Sequence, residues 1–202
     1  MKVLGLTGPS GSGKGFLKKT FEKHRIAYLD TDAVYHGLVD KPSLCTEELE
    51  EAFGSFILCS DGSLNRKKLA AFVFSGDEKE KERLAVLNEI THRHVLRAAR
   101  TWLSEKQAKG YKAAAIDAPL LYESSFDKEC DFVIVVLASA SLRLSRIMAR
   151  DGLNEQQAKA RMHAQPSDDF YKARADYIIY NNADEASAVS ALESILASSG
   201  LL

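Results

Sequence analysis

The chain predicts an α/β fold, a three-layer arrangement with helices on both faces of a parallel sheet. Three observations carry this. Apolar runs of strand length recur along the sequence, helical spacing fills the intervals between them, and the longest runs lack the polar alternation of a half-solvated strand. In chain order the runs are KVLGLT (2–7), IAYLD (26–30), YKAAAID (111–117), DFVIVVLA (131–138) and DYIIYN (176–181). The second and third lie about 80 residues apart, too far for one crossover helix. The interval 31–110 is helical in character, through TEELEEAFGSFI, NRKKLAAFVF and a long run from 77 to about 107, and predicts a helical insertion beside the sheet. A further charged helical stretch follows the fourth run, from about 140 to 174. The sheet core is then approximately 1–30, 111–138 and 176–202, within one domain.

Bulk properties agree with a globular chain. Its 202 residues suffice for one substantial core, with 46% hydrophobic and 27% charged residues. A net charge of −1 gives no general attraction to nucleic acid or to an anionic membrane. No apolar run approaches the ~18 residues of a membrane span, and the N-terminal run is too short for a signal peptide. Cys45, Cys59 and Cys130 are odd in number and lack metal-type spacing, so they are expected to be reduced thiols in a cytoplasmic protein.

The chemistry begins after the first strand, in GPSGSGKGF (8–16). It follows the phosphate-binding pattern G-x-x-x-x-G-K-[ST] except at its last position, where Gly15 stands for the hydroxyl residue. Gly8, Gly11 and Gly13 let the backbone wrap closely around phosphate oxygens, with Ser12 between them. Lys14 is placed for the β and γ phosphates, and the helix opening through Phe16 adds its positive end. The missing hydroxyl would be a direct Mg²⁺ ligand. Mg²⁺ readily keeps water in its shell, so the loop is expected to bind nucleotide with a looser hold on metal. The fold is therefore of the phosphate-loop NTPase type.

Asp30 and Asp32 come at the carboxyl end of the second strand, the side on which α/β sites gather. A carboxylate there either orients an attacking hydroxyl and takes its proton, or caps the following helix. The residues alone leave both open. Asp117 ends another apolar strand, as a water-mediated Mg²⁺ holder or as the cap of the turn at Pro119.

The order of further segments narrows the function. GLTGPSGSGKG, YLDTDAVYHGLV, GSLNRKKLAAFVF, LNEITHRHV, IDAPLLYES, RLSRIMARDGLNEQQAKARMHAQ and ADYIIYNN together resemble the dephospho-CoA kinase family along nearly all of the chain. The resemblance implies transfer of the ATP γ-phosphate to the ribose 3′-hydroxyl of dephospho-CoA, with Mg²⁺. By position, Asp32 is similar to the family's base and Asp30 to its supporting partner. Leu121 and Glu123 fall in the segment that shapes the acceptor pocket, with Pro119 and Leu120. His92 matches the histidine of a T-H-P segment in which Arg93 replaces the proline, and Arg66 a basic residue of the substrate-side insertion. Arg146 and Arg150 share a helix face with Arg143 and match arginines of a lid that closes over the phosphates, with Arg161 beyond them. Asn181 matches a position near the adenine ring, although NNAD lacks the glycine usual there.

Other kinases of this architecture, for uridine or nucleoside monophosphates, share the loop, and the later segments favour dephospho-CoA over them. A GTP-dependent switch lacks its guanine-reading lysine and its switch glycine here. A nucleotide-binding relative without catalysis is the remaining alternative, kept open by Gly15.

Overall fold

The structure is a computed structural model that describes residues 1–202. Five strands, β1 (Lys2–Thr7), β2 (Ala27–Asp30), β3 (Ala113–Asp117), β4 (Phe132–Leu137) and β5 (Tyr177–Tyr180), form one sheet. All pairings are parallel, in the order β2-β3-β1-β4-β5. Each lies within a predicted apolar run. β3 and β4 are buried at every position, which is why their sequences show no alternation.

The central strand β1 divides its residues between the two faces. Leu4 and Leu6 join Ile134, Val136 and Ile179 in a core covered by α1 (Lys18–Lys23) and α9 (Glu185–Ser198), through Phe21, Leu192 and Leu196. On the opposite face Gly5 leaves space that Leu121 fills; a Cβ at Gly5 would lie 2.7 Å from the Leu121 Cδ2 atom.

The chain divides into two compact units, one of residues 1–30 and 103–202, the other of 31–102. The second unit contains α2 (Thr31–Val39), α3 (Leu44–Phe53), α4 (Arg66–Val73) and the larger part of α5 (Glu80–Ala108). Its own core gathers Val39, Cys45, Leu49, Phe53, Ile57, Leu69, Val73 and Ile90. Ser43 caps α3 in a reciprocal box with Thr46, and Asn65 caps α4. Arg93 sits in mid-helix on α5 and pairs with Glu48 of α3. A proline at that place would remove a helix hydrogen bond.

The charged stretch expected as one helical region resolves into three helices, α6 (Ala140–Asp151), α7 (Glu155–His163) and α8 (Asp168–Lys172). Gly152, at φ 65°, ends α6 in the left-handed conformation, and Asn154 with Gln157 starts α7 as a capping box. The helix expected directly after the glycine loop also differs. It opens as a 3₁₀ turn over Lys14–Leu17 before α1 begins.

The loop after β1 is the tightest part of the chain. Gly8 has φ 142°, and a Cβ there would collide with the Val136 carbonyl oxygen of β4. Gly15 is unlike it: its φ is not positive, and a Cβ there would meet no atom within 4 Å. Gly8→Ala should therefore lower the unfolding free energy by about 2 kcal/mol or more. Gly15→Ala should leave it equal or raise it by up to about 1 kcal/mol. Urea denaturation of both variants measures the contrast, and equal effects would show that the close approach at Gly8 does not constrain the fold.

Candidate active site

Every residue of the predicted phosphate loop lies between the carboxyl end of β1 and the start of α1. Gly8, Gly11 and Gly13 all adopt positive φ, at 142°, 79° and 88°. No side chain caps the turn that follows Gly13, and the start of such a turn is where backbone N–H groups favour an anion. The Lys14 ammonium donates to the Gly8 carbonyl at 3.0 Å, folding back across the loop. Phe16 is half-buried against the sheet core, and Gly15 is exposed.

Beneath the loop lies Asn181, directly after β5. Its side chain is 1% exposed and its Nδ2 donates to the Ser12 carbonyl at 2.8 Å. The sequence expectation put this residue beside an adenine ring; the structure gives its amide to the loop. The absent Cβ of Gly13 is what lets that amide come so close. Asn182, next to it, accepts from the Ser139 N–H and ties the same segment to the end of β4.

The arginines of α6 reach the loop from another side. Arg146 Nη1 donates to the carbonyls of Gly11 and Ser12 at 3.3 and 3.4 Å, and Nη2 to that of Asn181 at 3.4 Å. Arg150 grips Asp151 with two bonds of 2.8 and 2.9 Å and touches the Ser10 hydroxyl at 3.3 Å. Arg161 of α7 holds the same Asp151 at 2.8 Å. Hydrogen bonds from Arg150, with the two guanidinium charges, hold the Asp151 carboxyl below the usual range. Arg143 turns inward and is 6% exposed.

At the carboxyl edge of the sheet, Asp30 and Asp117 face each other across the β2–β3 ladder. Asp117 is 8% exposed and its Oδ2 accepts the Tyr28 hydroxyl at 2.5 Å. Burial, then the Asp117 charge, push the Tyr28 phenol well above its ordinary range, so it remains a donor. Sequence reasoning missed Tyr28. Its position two residues before Asp30, on the same strand face, was the available signal. Asp32 lies beyond the strand in the first turn of α2, where a carboxylate also suits the helix dipole.

Oxygen donors of this kind suit Mg²⁺. No group of three or more His, Cys, Asp or Glu side chains is gathered to cage a metal. Mg²⁺ needs none, because it is held by one or two carboxylates, phosphate oxygens and waters.

The remaining expected residues are distributed as follows. Leu121 is fully buried and supports its segment from inside, while Leu120 is 46% exposed and Glu123 is exposed beside it. In the helical unit, Arg66 pairs with Asp40, just past the end of α2, at 3.3 Å and contacts His36 of α2. His92 is half-buried with an unpartnered Nε2, and burial lowers its pKa. His94 is 3% exposed and lies 3.1 Å from Glu48. Burial pushes the thiols of Cys45 and Cys130 up to about 11 and about 12, so both stay protonated.

A phosphate-type loop on the central strand, at the point where strand order reverses, with arginines brought to it from a following helix, defines a phosphate-loop kinase. Comparison with known proteins carries this further. Residues 2–187 match the dephospho-CoA kinase family. The chain is 36% identical over 182 residues to the dephospho-CoA kinase of Corynebacterium diphtheriae, covering 90% of this chain and 89% of that one. A crystal structure from Thermus thermophilus aligns with a TM-score of 0.79 at 29% identity, over 98% of this chain and 97% of the other. The dephospho-CoA kinase of Campylobacter jejuni aligns with a TM-score of 0.70 at 27% identity, over the whole of both chains. The chain belongs to the dephospho-CoA kinase family and is an enzyme of the kinase class. None of its helices is long and apolar enough to cross a membrane.

The seat of Asn181 has a direct energetic consequence. Asn181→Ala removes the shorter of two hydrogen bonds to the Ser12 carbonyl and leaves a void, which should cost about 1–3 kcal/mol. Thermal and urea unfolding check this. A loss below about 0.5 kcal/mol would mean that Asn181 does not support the loop.

Proposed function

We propose that the protein transfers the γ-phosphoryl group of ATP to the ribose 3′-hydroxyl of dephospho-CoA, giving coenzyme A and ADP in the cytoplasm. Family membership supports the substrate. The single structural observation that carries the chemistry is the glycine loop after β1, with Gly8, Gly11 and Gly13 at positive φ and no side chain capping the turn that follows. Lys14 and the loop amides hold the β and γ phosphates. Arg146 offsets the charge that spreads over the transferring group.

Asp32 accepts the proton of the 3′-hydroxyl as the oxygen–phosphorus bond forms and the bond to the β–γ bridging oxygen breaks. Asp30, at the strand end, supports it. Asp117, with its Oδ2 bonded to Tyr28, would hold Mg²⁺ through water, and the bound metal would neutralise phosphate charge. Glu123 and the exposed Leu120 serve the acceptor side, with Arg66 and His92 as further substrate contacts.

A coupled assay with ATP over dephospho-CoA, uridine, CMP and AMP tests the acceptor. Only dephospho-CoA should be consumed; phosphorylation of uridine or CMP without formation of coenzyme A would overturn the assignment. Within the same assay Asp32→Asn should lower kcat by about 10²–10⁴-fold with little change in ATP binding. Asp30→Asn should affect stability or substrate binding more than turnover. Near-normal turnover in Asp32→Asn moves the base to another residue.

Gly15 makes the metal step separately testable. Its surroundings are open and its φ is not positive, so a serine fits without rearrangement. Gly15→Ser should lower the Mg²⁺ concentration needed for half-maximal activity. It should also tighten Mg²⁺ binding to the protein–ATP complex in calorimetric titration. An unchanged midpoint in both would mean that another group already fills that coordination position.

A further inference from the structure

Ser10 lies within the glycine loop but is not among the residues expected to hold phosphate. Yet its backbone and side chain are all engaged by the segment 140–172. Its N–H donates to Gln165 Oε1 at 2.9 Å. Its carbonyl accepts from Arg143 Nε at 3.1 Å, and its hydroxyl from Arg150 Nη2 at 3.3 Å.

Arg143 is also anchored at its far end, where Nη1 donates to Asp168 Oδ1 at 3.0 Å. Asp168 is the first residue of α8, after the Ser167 cap, where a negative charge is favoured. The pair is shielded on the arginine side, with 7% of that side chain exposed. Losing Asp168 would leave the buried Arg143 charge without its partner. The neighbouring Gly11 completes the contact. A Cβ there would stand 2.7 Å from the Arg143 carbonyl oxygen, so the loop backbone lies directly on α6. Four side chains from α6, α8 and the turn between α7 and α8 thus hold or brace one residue at the loop's apex.

On the assignment of ATP to this loop, we propose that Gln165 and Arg143 are positioning residues that hold Ser10, and through it the phosphate loop, in its binding conformation before nucleotide arrives. Both side chains bond Ser10. A loop already ordered loses less conformational entropy on binding, so the latch acts on ATP affinity more than on the transfer step. Arg143 supplies what a lysine lacks, a planar group that bonds a carbonyl and a carboxylate at once.

The test uses the full-length protein and Gln165→Leu, which removes the acceptor without disturbing the buried ion pair. The Ser10 amide should exchange with solvent at least roughly tenfold faster in Gln165→Leu, read by NMR hydrogen exchange on the nucleotide-free protein. The KM for ATP should rise about threefold to tenfold, the loss of one hydrogen bond's net contribution, with kcat falling less than twofold. Gln165→Glu, which keeps an acceptor at the same reach, should restore the slow exchange. Arg143→Lys should show the same rise in KM. Unchanged Ser10 exchange in Gln165→Leu overturns the proposal, as does a fall in kcat at constant KM. If the wild-type protein formed no coenzyme A, the kinase assignment would fail, while Ser10 exchange would still decide whether the latch exists.

Discussion

Backbone meets backbone at contact distance around the loop that follows β1, and the sheet-bearing unit is organised by that constraint. Gly8 lies against the carbonyl of Val136, Gly11 against the backbone of Arg143, and Gly13 against the side-chain amide of Asn181. A side chain at any of the three would force β4, α6 or the segment after β5 away. The loop is therefore shaped from outside as much as by its own sequence.

Charge is divided around this loop with opposite signs on two sides. Arg143, Arg146 and Arg150 approach from α6, each bonded to a backbone or hydroxyl oxygen of residues 10–12. Asp30 and Asp117 stand together at the carboxyl edge of β2 and β3. Two carboxylates side by side repel, and burial raises the cost for Asp117. The Tyr28 hydroxyl offsets part of that cost by donating to Asp117. A bound cation would offset more.

The helical unit of residues 31–102 has a separate logic. It rests on its own apolar cluster and on polar contacts among its own residues. Arg66 holds His36 and Asp40, while Arg93 and His94 approach Glu48. The exchange of a family proline for Arg93 gains meaning here, since the arginine joins α5 to α3 and leaves the long helix unbroken.

The strands, their burial and the nature of the loop are all legible in the order of residues. Strands buried on both faces must be continuously apolar, and a turn that wraps an anion at contact distance needs glycine at set intervals, so both leave a direct signature. The ordered motifs were enough to indicate the family. Even the division of residues 140–174 into three helices was written in signals local to the chain, Gly152 and Asn154 with Gln157 between α6 and α7, and Ser167 before α8. Which polar side chain meets which was settled by packing alone. Asn181 lies under Ser12 from 169 residues away, Gln165 accepts the Ser10 N–H across 155, and Tyr28 reaches Asp117 across 89. Periodicity reports only the face a residue occupies on its own element. Partners that distant are chosen by how the elements pack, and so could be known only once the chain was folded.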